Sequence, residues 1–154
     1  MTYYVKLLGS TDMPMANYPW DEDEMHSEVR FPPKPPPNDI SPGDELVYYA
    51  VGGYKRVFVT ARVEESPQLN QVHSNSEVAK RWPYASRVAL RPETRLTYVS
   101  SGPELNEVTP GLQDNVRHGV SHFEIGKPQF EHTVSLLRKK KIEEDQKIKT
   151  GWKP

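Results

Sequence analysis

No cysteine occurs anywhere in the 154 residues. Disulfides, thiolate nucleophiles and cysteine-ligated zinc are thereby excluded together, and the composition fits a reducing compartment. An excess of either charge is also missing: 20 Lys and Arg face 21 Asp and Glu, a net charge of −1. The chain as a whole therefore has no pull on phosphate, and any hold on an anionic polymer has to come from a local patch. No apolar run approaches the length needed to cross a bilayer. The opening Met1-Thr2-Tyr3-Tyr4-Val5-Lys6 lacks the basic start and long apolar stretch of a secretion signal, so a cytoplasmic location is expected. Catalytic signatures are scarce as well. The sequence has no Gly-x-Ser-x-Gly elbow and no glycine-rich loop leading into Lys-Ser or Lys-Thr.

What is present points to short strands. Tyr3 to Leu8 is aromatic and aliphatic and stops at Gly9-Ser10, which reads as a buried strand. Residues 11–39 read as a long excursion between strands. This stretch is acidic, carries Tyr18 and Trp20, and ends in the proline run from Pro32 to Pro37, which favours extended geometry. Glu45 to Val51 and Arg56 to Val63 read as a hairpin around Gly52-Gly53, the second strand placing Val57, Val59, Ala61 and Val63 on one face. Arg87–Arg91, Arg95–Val99 and Ser121–Ile125 read as further strands, and Pro103 sits at a helix start. From Lys127 onward, Phe130, Val134 and Leu137 follow helical spacing. The segment 138–154 carries seven bases against three acids, a charged helix extension or tail.

In this order the segments resemble EVE domains of the PUA-like superfamily. Tyr-Tyr-Val-Lys-Leu at 3–7 resembles their first strand, and Ser-Pro-Gly-Asp-Glu-Leu-Val-Tyr-Tyr at 41–49 their Gly-Asp strand. Val57 to Val63 is similar to the strand that follows. Arg81-Trp82-Pro83-Tyr84 resembles the tryptophan segment ahead of a later strand, and Val116 to Ile125 the late arginine-and-serine segment. The likeness spans residues 3–137. It departs where those domains carry a Lys-Ser-Glu-Pro-like run, here Leu8-Gly9-Ser10-Thr11, and in the insertion at 11–39.

The resemblance implies an α+β, PUA-like curled mixed sheet or β-barrel of about six strands with two or three short flanking helices. It implies one domain over 1–137, with 138–154 appended. It also implies a non-catalytic reader that holds one nucleobase of DNA or RNA, in some relatives a modified one, in an aromatic-lined pocket. No cofactor and no metal are implied.

A base pocket needs flat faces for stacking and polar groups for the base edge. Trp82 and Trp20 are the expected stacking residues, with Tyr18 and Tyr84 beside them in sequence. Ser10 and Ser121 are expected to bond the base edge, and Arg117 to meet the edge or a phosphate. Arg117, His118, Ser121 and His122 form the densest polar cluster. His118 and His122 stand four apart, but Gly119 and the strand-like residues after it argue against a helix, so no metal site is expected. Two other functions compete. One is an RNA-cleaving or hydrolytic enzyme of the ASCH type, using His118 or His122. The other is a protein-interaction module that docks through the proline run at 32–37.

Overall fold

Tyr3–Leu8, the first strand (β1), lies one place in from an edge of the sheet, with a parallel neighbour on one side and an antiparallel one on the other. The structure is a computed structural model and describes residues 1–10, 27–69, 80–117 and 119–154. Beyond β1 it contains β2 (Glu28–Phe31), β3 (Glu45–Ala50), β4 (Val57–Val63), β5 (Gln68–Leu69), β6 (Tyr84–Leu90) and β7 (His122–Ile125). The strand order is β2-β6-β4-β3-β1-β7, with β5 added to β6. Among the described residues only β1 and β3 run parallel, and every other pair is antiparallel.

Asp44 explains why the Gly-Asp segment matters. Gly43 adopts a left-handed φ of +91°, open to glycine without strain. The turn it makes lets Asp44 Oδ1 accept from the Thr2 amide at 2.9 Å and Oδ2 from the Ser41 amide at 2.9 Å. One buried carboxylate thus fixes the starts of β1 and β3 side by side.

The two faces of the sheet bury different things. Tyr3 and Val5 of β1 face a layer built from helix α2 (Lys127–Lys149), the short helix α1 (Leu105–Val108) and three 3-10 turns at Pro92–Thr94, Val99–Ser101 and Leu112–Asn115. Phe130 packs on Tyr3 with ring centroids 4.9 Å apart. Phe130, Thr133, Leu137 and Glu144 form the buried stripe of α2, at helical spacing. Gly102 sits so close to β4 that a Cβ there would meet the Val57 carbonyl oxygen at 1.7 Å, so no other residue fits. The opposite face, lined by Tyr4, Lys6, Leu8, Leu46, Tyr48, Val59, Ala61 and Val63, curls inward. Phe31 of one edge strand and His122 of the other meet across it, so side chains close the barrel.

The α+β, PUA-like fold expected from the sequence is therefore present, with four local corrections. Arg95–Val99 is not a strand: it links two 3-10 turns, and the Thr97 and Tyr98 amides donate to the Glu144 carboxylate at 2.7 and 3.0 Å. The excursion at 11–39 contains β2, which pairs with β6. Tyr84 belongs to β6, which starts three residues earlier than its apolar pattern suggested. Helix α2 is also longer than the flanking helices expected, at 23 residues.

Candidate functional site

The carboxyl end of β1 and the amino end of β7 meet at one lip of the barrel, where the Leu7 amide donates to the Ser121 carbonyl at 3.0 Å. Facing that lip is the proline-rich loop. Buried Pro37 and Ile40 pin it to the core and leave Pro35, Pro36, Asn38 and Asp39 at the surface. A cavity of about 370 Å³ lies between the two, lined on one side by Gly119, Val120, Ser121 and His122. Its size falls within the range of small-ligand pockets.

Three polar side chains order this lip. The Asp39 carboxylate lies 2.8 and 2.9 Å from His122 Nε2, and His122 Nδ1 lies 3.1 Å from Ser121 Oγ. A carboxylate accepts only, so Nε2 carries the proton and Nδ1 is free to accept from the Ser121 hydroxyl. Burial lowers the His122 pKa, while the hydrogen bond and charge of Asp39 oppose the shift. The imidazole is thus neutral near pH 7, and its link to Asp39 is a hydrogen bond to a carboxylate rather than an ion pair. Tyr4 supports both partners. Its hydroxyl donates to the Asp39 carbonyl at 3.1 Å, and its ring meets His122 edge-on at 5.3 Å. Burial, followed by the charge of Asp39, raises the Tyr4 pKa and keeps that donor protonated.

A second group of expected site residues assembles around Arg81. Its Nη2 donates to Ser10 Oγ at 3.1 Å, and its guanidinium lies 5.0 Å from the Trp82 ring centre. Arg30 Nη1 donates to the Trp82 carbonyl at 3.0 Å. Ser10 and Trp82, 72 positions apart in sequence, are therefore joined through one arginine. Tyr84 pairs in register with Phe31, which touches His122.

Arg117 stands apart from both groups. It is exposed, and its Nε donates to the Asp114 carbonyl at 3.0 Å, three residues back. Tyr18, Trp20 and His118 lie outside the described residues. The reading from sequence missed Asp39, Arg81 and Lys6. Lys6 is 1% exposed on the inner face, its Nζ donating to the Leu7 carbonyl at 2.6 Å and lying 4.9 Å from the Phe31 ring centre. A lone lysine between Val5 and Leu7 in an otherwise apolar strand was the available signal. Among the described residues no group of three or more His, Asp or Glu side chains could hold a metal, and no helix is long and apolar enough to cross a membrane. A second hollow, of about 360 Å³, beside α2 is lined by mixed charges including Arg56, Glu104, Lys140 and Glu143.

Known proteins resemble this chain in shape rather than in sequence. No protein-family model matches it, and no curated protein does. Protein Atu2648 from Agrobacterium tumefaciens superposes with a TM-score of 0.51 at 12% identity, over 89% of this chain and 93% of that one. Protein PSPTO5229 from Pseudomonas syringae gives 0.50 at 11% identity, over 88% and 99%. The fold is PUA-like. Human THYN1, solved in complex with 5-methylcytosine containing DNA, gives a TM-score of 0.47 at 11% identity, over 89% of this chain and 98% of that one. At these identities the likeness is one of architecture alone.

Proposed function

We propose that this chain is a non-catalytic binding module that holds a single nucleobase of DNA or RNA, modified or not, at the barrel lip. The observation that carries the reading is the cavity between the proline loop and β7, with Asp39, His122 and Ser121 hydrogen-bonded in a row along its wall. Pro35 and Pro36 offer flat apolar surface. Asp39 accepts from an exocyclic amine or ring N–H, and Ser121, whose one hydrogen goes to His122, accepts at a base edge. The carboxylate repels phosphate, which favours a base turned into the cavity with its backbone outside. Lys34, exposed and next to Pro35 in sequence, is the nearby charge that could meet that backbone, with Arg117 as a more distant candidate. Trp82 and Ser10, tied through Arg81, extend the surface for a neighbouring base, with Tyr84, Tyr18 and Trp20 as the other stacking candidates.

The test is a titration of short oligonucleotides, single-stranded and duplex, with unmodified and methylated bases, followed by tryptophan fluorescence. Quenching that is lost in Asp39→Ala and weakened in Trp82→Ala supports the reading. Absence of binding to every oligonucleotide at low salt refutes it and favours the proline run at 32–37 as a protein-docking strip.

One observation favours a second reading, hydrolysis. A neutral imidazole whose Nε2–H is held by Asp39 presents the Nδ1 lone pair to the Ser121 hydroxyl, which is how a serine is activated as a nucleophile. Ser121 is buried, however, and its hydroxyl rests on the ring of the very next residue, a local contact that needs no catalytic role. Covalent capture of Ser121 by a fluorophosphonate probe would establish the hydrolytic reading; an unmodified protein after prolonged exposure dismisses it.

A further inference from the structure

We propose that the barrel interior behind His122 is a subsite for an acceptor oxygen of the bound base, held by Lys6 and Tyr48, so that keto-bearing bases are preferred over amino-bearing ones. The inference rests on the base-binding reading above and specifies which base edge that site takes.

The register brings three polar residues into one row. Lys6 pairs with His122 of β7 on one side and with Tyr48 of β3 on the other. Paired residues share a face, so all three project from the inner face of the sheet. His122 lines the cavity, and Lys6 and Tyr48 stand next in line, 1% and 0% exposed.

Neither buried group is satisfied. Lys6 Nζ has three N–H donors, and its hydrogen bond is to the Leu7 carbonyl. No carboxylate approaches it among the described residues, and burial alone brings its pKa down to about 7. The Tyr48 hydroxyl is buried without a hydrogen-bond partner. An ammonium without a counter-charge and a phenol without an acceptor are both costly in an apolar interior, where methionine and phenylalanine would pack without cost. Such defects concentrate at sites that await a partner. The Lys6 ammonium has donors to spare and the Tyr48 hydroxyl can donate as well as accept, so an acceptor is the partner that both groups can hold. A ring carbonyl oxygen, as in uracil or hypoxanthine, can accept from both groups; the amine of cytosine or adenine at the same position turns its own donors toward the Lys6 ammonium. Phe31 and His122 close over Lys6, and the base enters by parting that contact.

The experiment compares oligonucleotides that differ only at one central base, uracil against cytosine and hypoxanthine against adenine, for the wild-type chain, Lys6→Met and Tyr48→Phe. The wild type is expected to bind the keto member of each pair about tenfold or more tightly. At pH 8 it should also take up protons on binding, seen by calorimetry in buffers of different ionisation heat, because an oxygen beside Nζ restores the ammonium. Both variants should level the two affinities and melt at or above the wild-type temperature. Equal affinities in the wild type, or discrimination that survives Lys6→Met, overturns this proposal and leaves base binding standing. A lower melting temperature for Lys6→Met also overturns it, by showing that Lys6 holds the fold. Failure to bind any oligonucleotide removes base binding and this proposal together.

Discussion

Phe31 and His122, from the two outermost strands of the sheet, meet edge to face with ring centroids 5.5 Å apart and planes at 87°. No backbone ladder joins those strands, so this contact, with the Asp39–His122 hydrogen bond beside it, is what turns a curled sheet into a barrel. His122 also lines the cavity, and the Phe31 ring lies over Lys6.

Phe31→Ala should therefore cost more than an ordinary surface truncation. The ring is fully buried, and replacing it leaves a void against His122 and Lys6. A loss of about 3 kcal/mol is expected for a large core aromatic, read as a lower midpoint in urea unfolding. Phe31→Leu, which keeps most of the volume, should lose clearly less. Equal losses would mean that the ring contact with His122 sets the stability, rather than volume.

His122 gives the lip a pH dependence. Its folded pKa lies below the ordinary value of 6.5. As pH falls below 6.5, the unfolded chain takes up a proton before the folded chain does, so stability present at neutral pH is lost on acidification. Because Asp39 opposes the shift, Asp39→Ala should push the His122 pKa lower still, which an NMR titration of the ring protons resolves. An upward move in that variant would contradict the neutral-imidazole description of the site.

Lys6 acts over a higher window. Its pKa is about 7 in the folded chain against an ordinary 10.5. Between those values the unfolded chain holds a proton that the folded chain lacks, so stability should rise with pH from about 7 to 9.5. The slope should approach about 1 kcal/mol per pH unit. Above pH 10 the buried Tyr48 reverses the trend, because burial raises its pKa and the unfolded chain then ionises first. Denaturant unfolding of the wild type and Lys6→Met at pH 7 and 9 should show the rise in the first protein and its absence in the second.

How much of this was legible in sequence follows from which forces wrote the pattern. β1, β3, β4, β7 and the start of α2 carry apolar periodicity, because each buries a face against a large neighbour, and their reading agrees with the structure within a residue or so. Residues 95–99 mimic a strand because Leu96 and Val99 are buried, while the amides between them are satisfied by a side chain 46 or 47 residues away, which no local pattern reveals. β2 is four residues long and half polar, too short to show alternation. Ser121 and His122 stood out as a polar cluster, but their partner Asp39 is 83 positions from His122 and became visible only in the fold. Arg81 went unread for a similar reason: its contact with Ser10 spans 71 positions.

Glu144 illustrates a residue that matters to the fold and not to the site. The charged stretch after Leu137 continues α2, and Glu144, 2% exposed, caps the Thr97 and Tyr98 amides with both carboxylate oxygens. Glu144→Ala strands two donors and should lower stability by about 2–3 kcal/mol, measured by urea unfolding. Oligonucleotide affinity under conditions where the variant stays folded should be unchanged, since the barrel lip lies on the other face of the sheet.

The most direct test of base binding at the lip compares two otherwise identical single strands, one with an intact central nucleotide and one with an abasic sugar there. Affinity is read by fluorescence anisotropy at low and moderate salt. A base held between the proline loop and β7 predicts clearly tighter binding of the intact strand, with the difference surviving added salt and vanishing in Asp39→Ala. Equal affinity of the two strands, or weak binding that salt abolishes for both, would contradict it by showing that the chain grips backbone charge and reads no base.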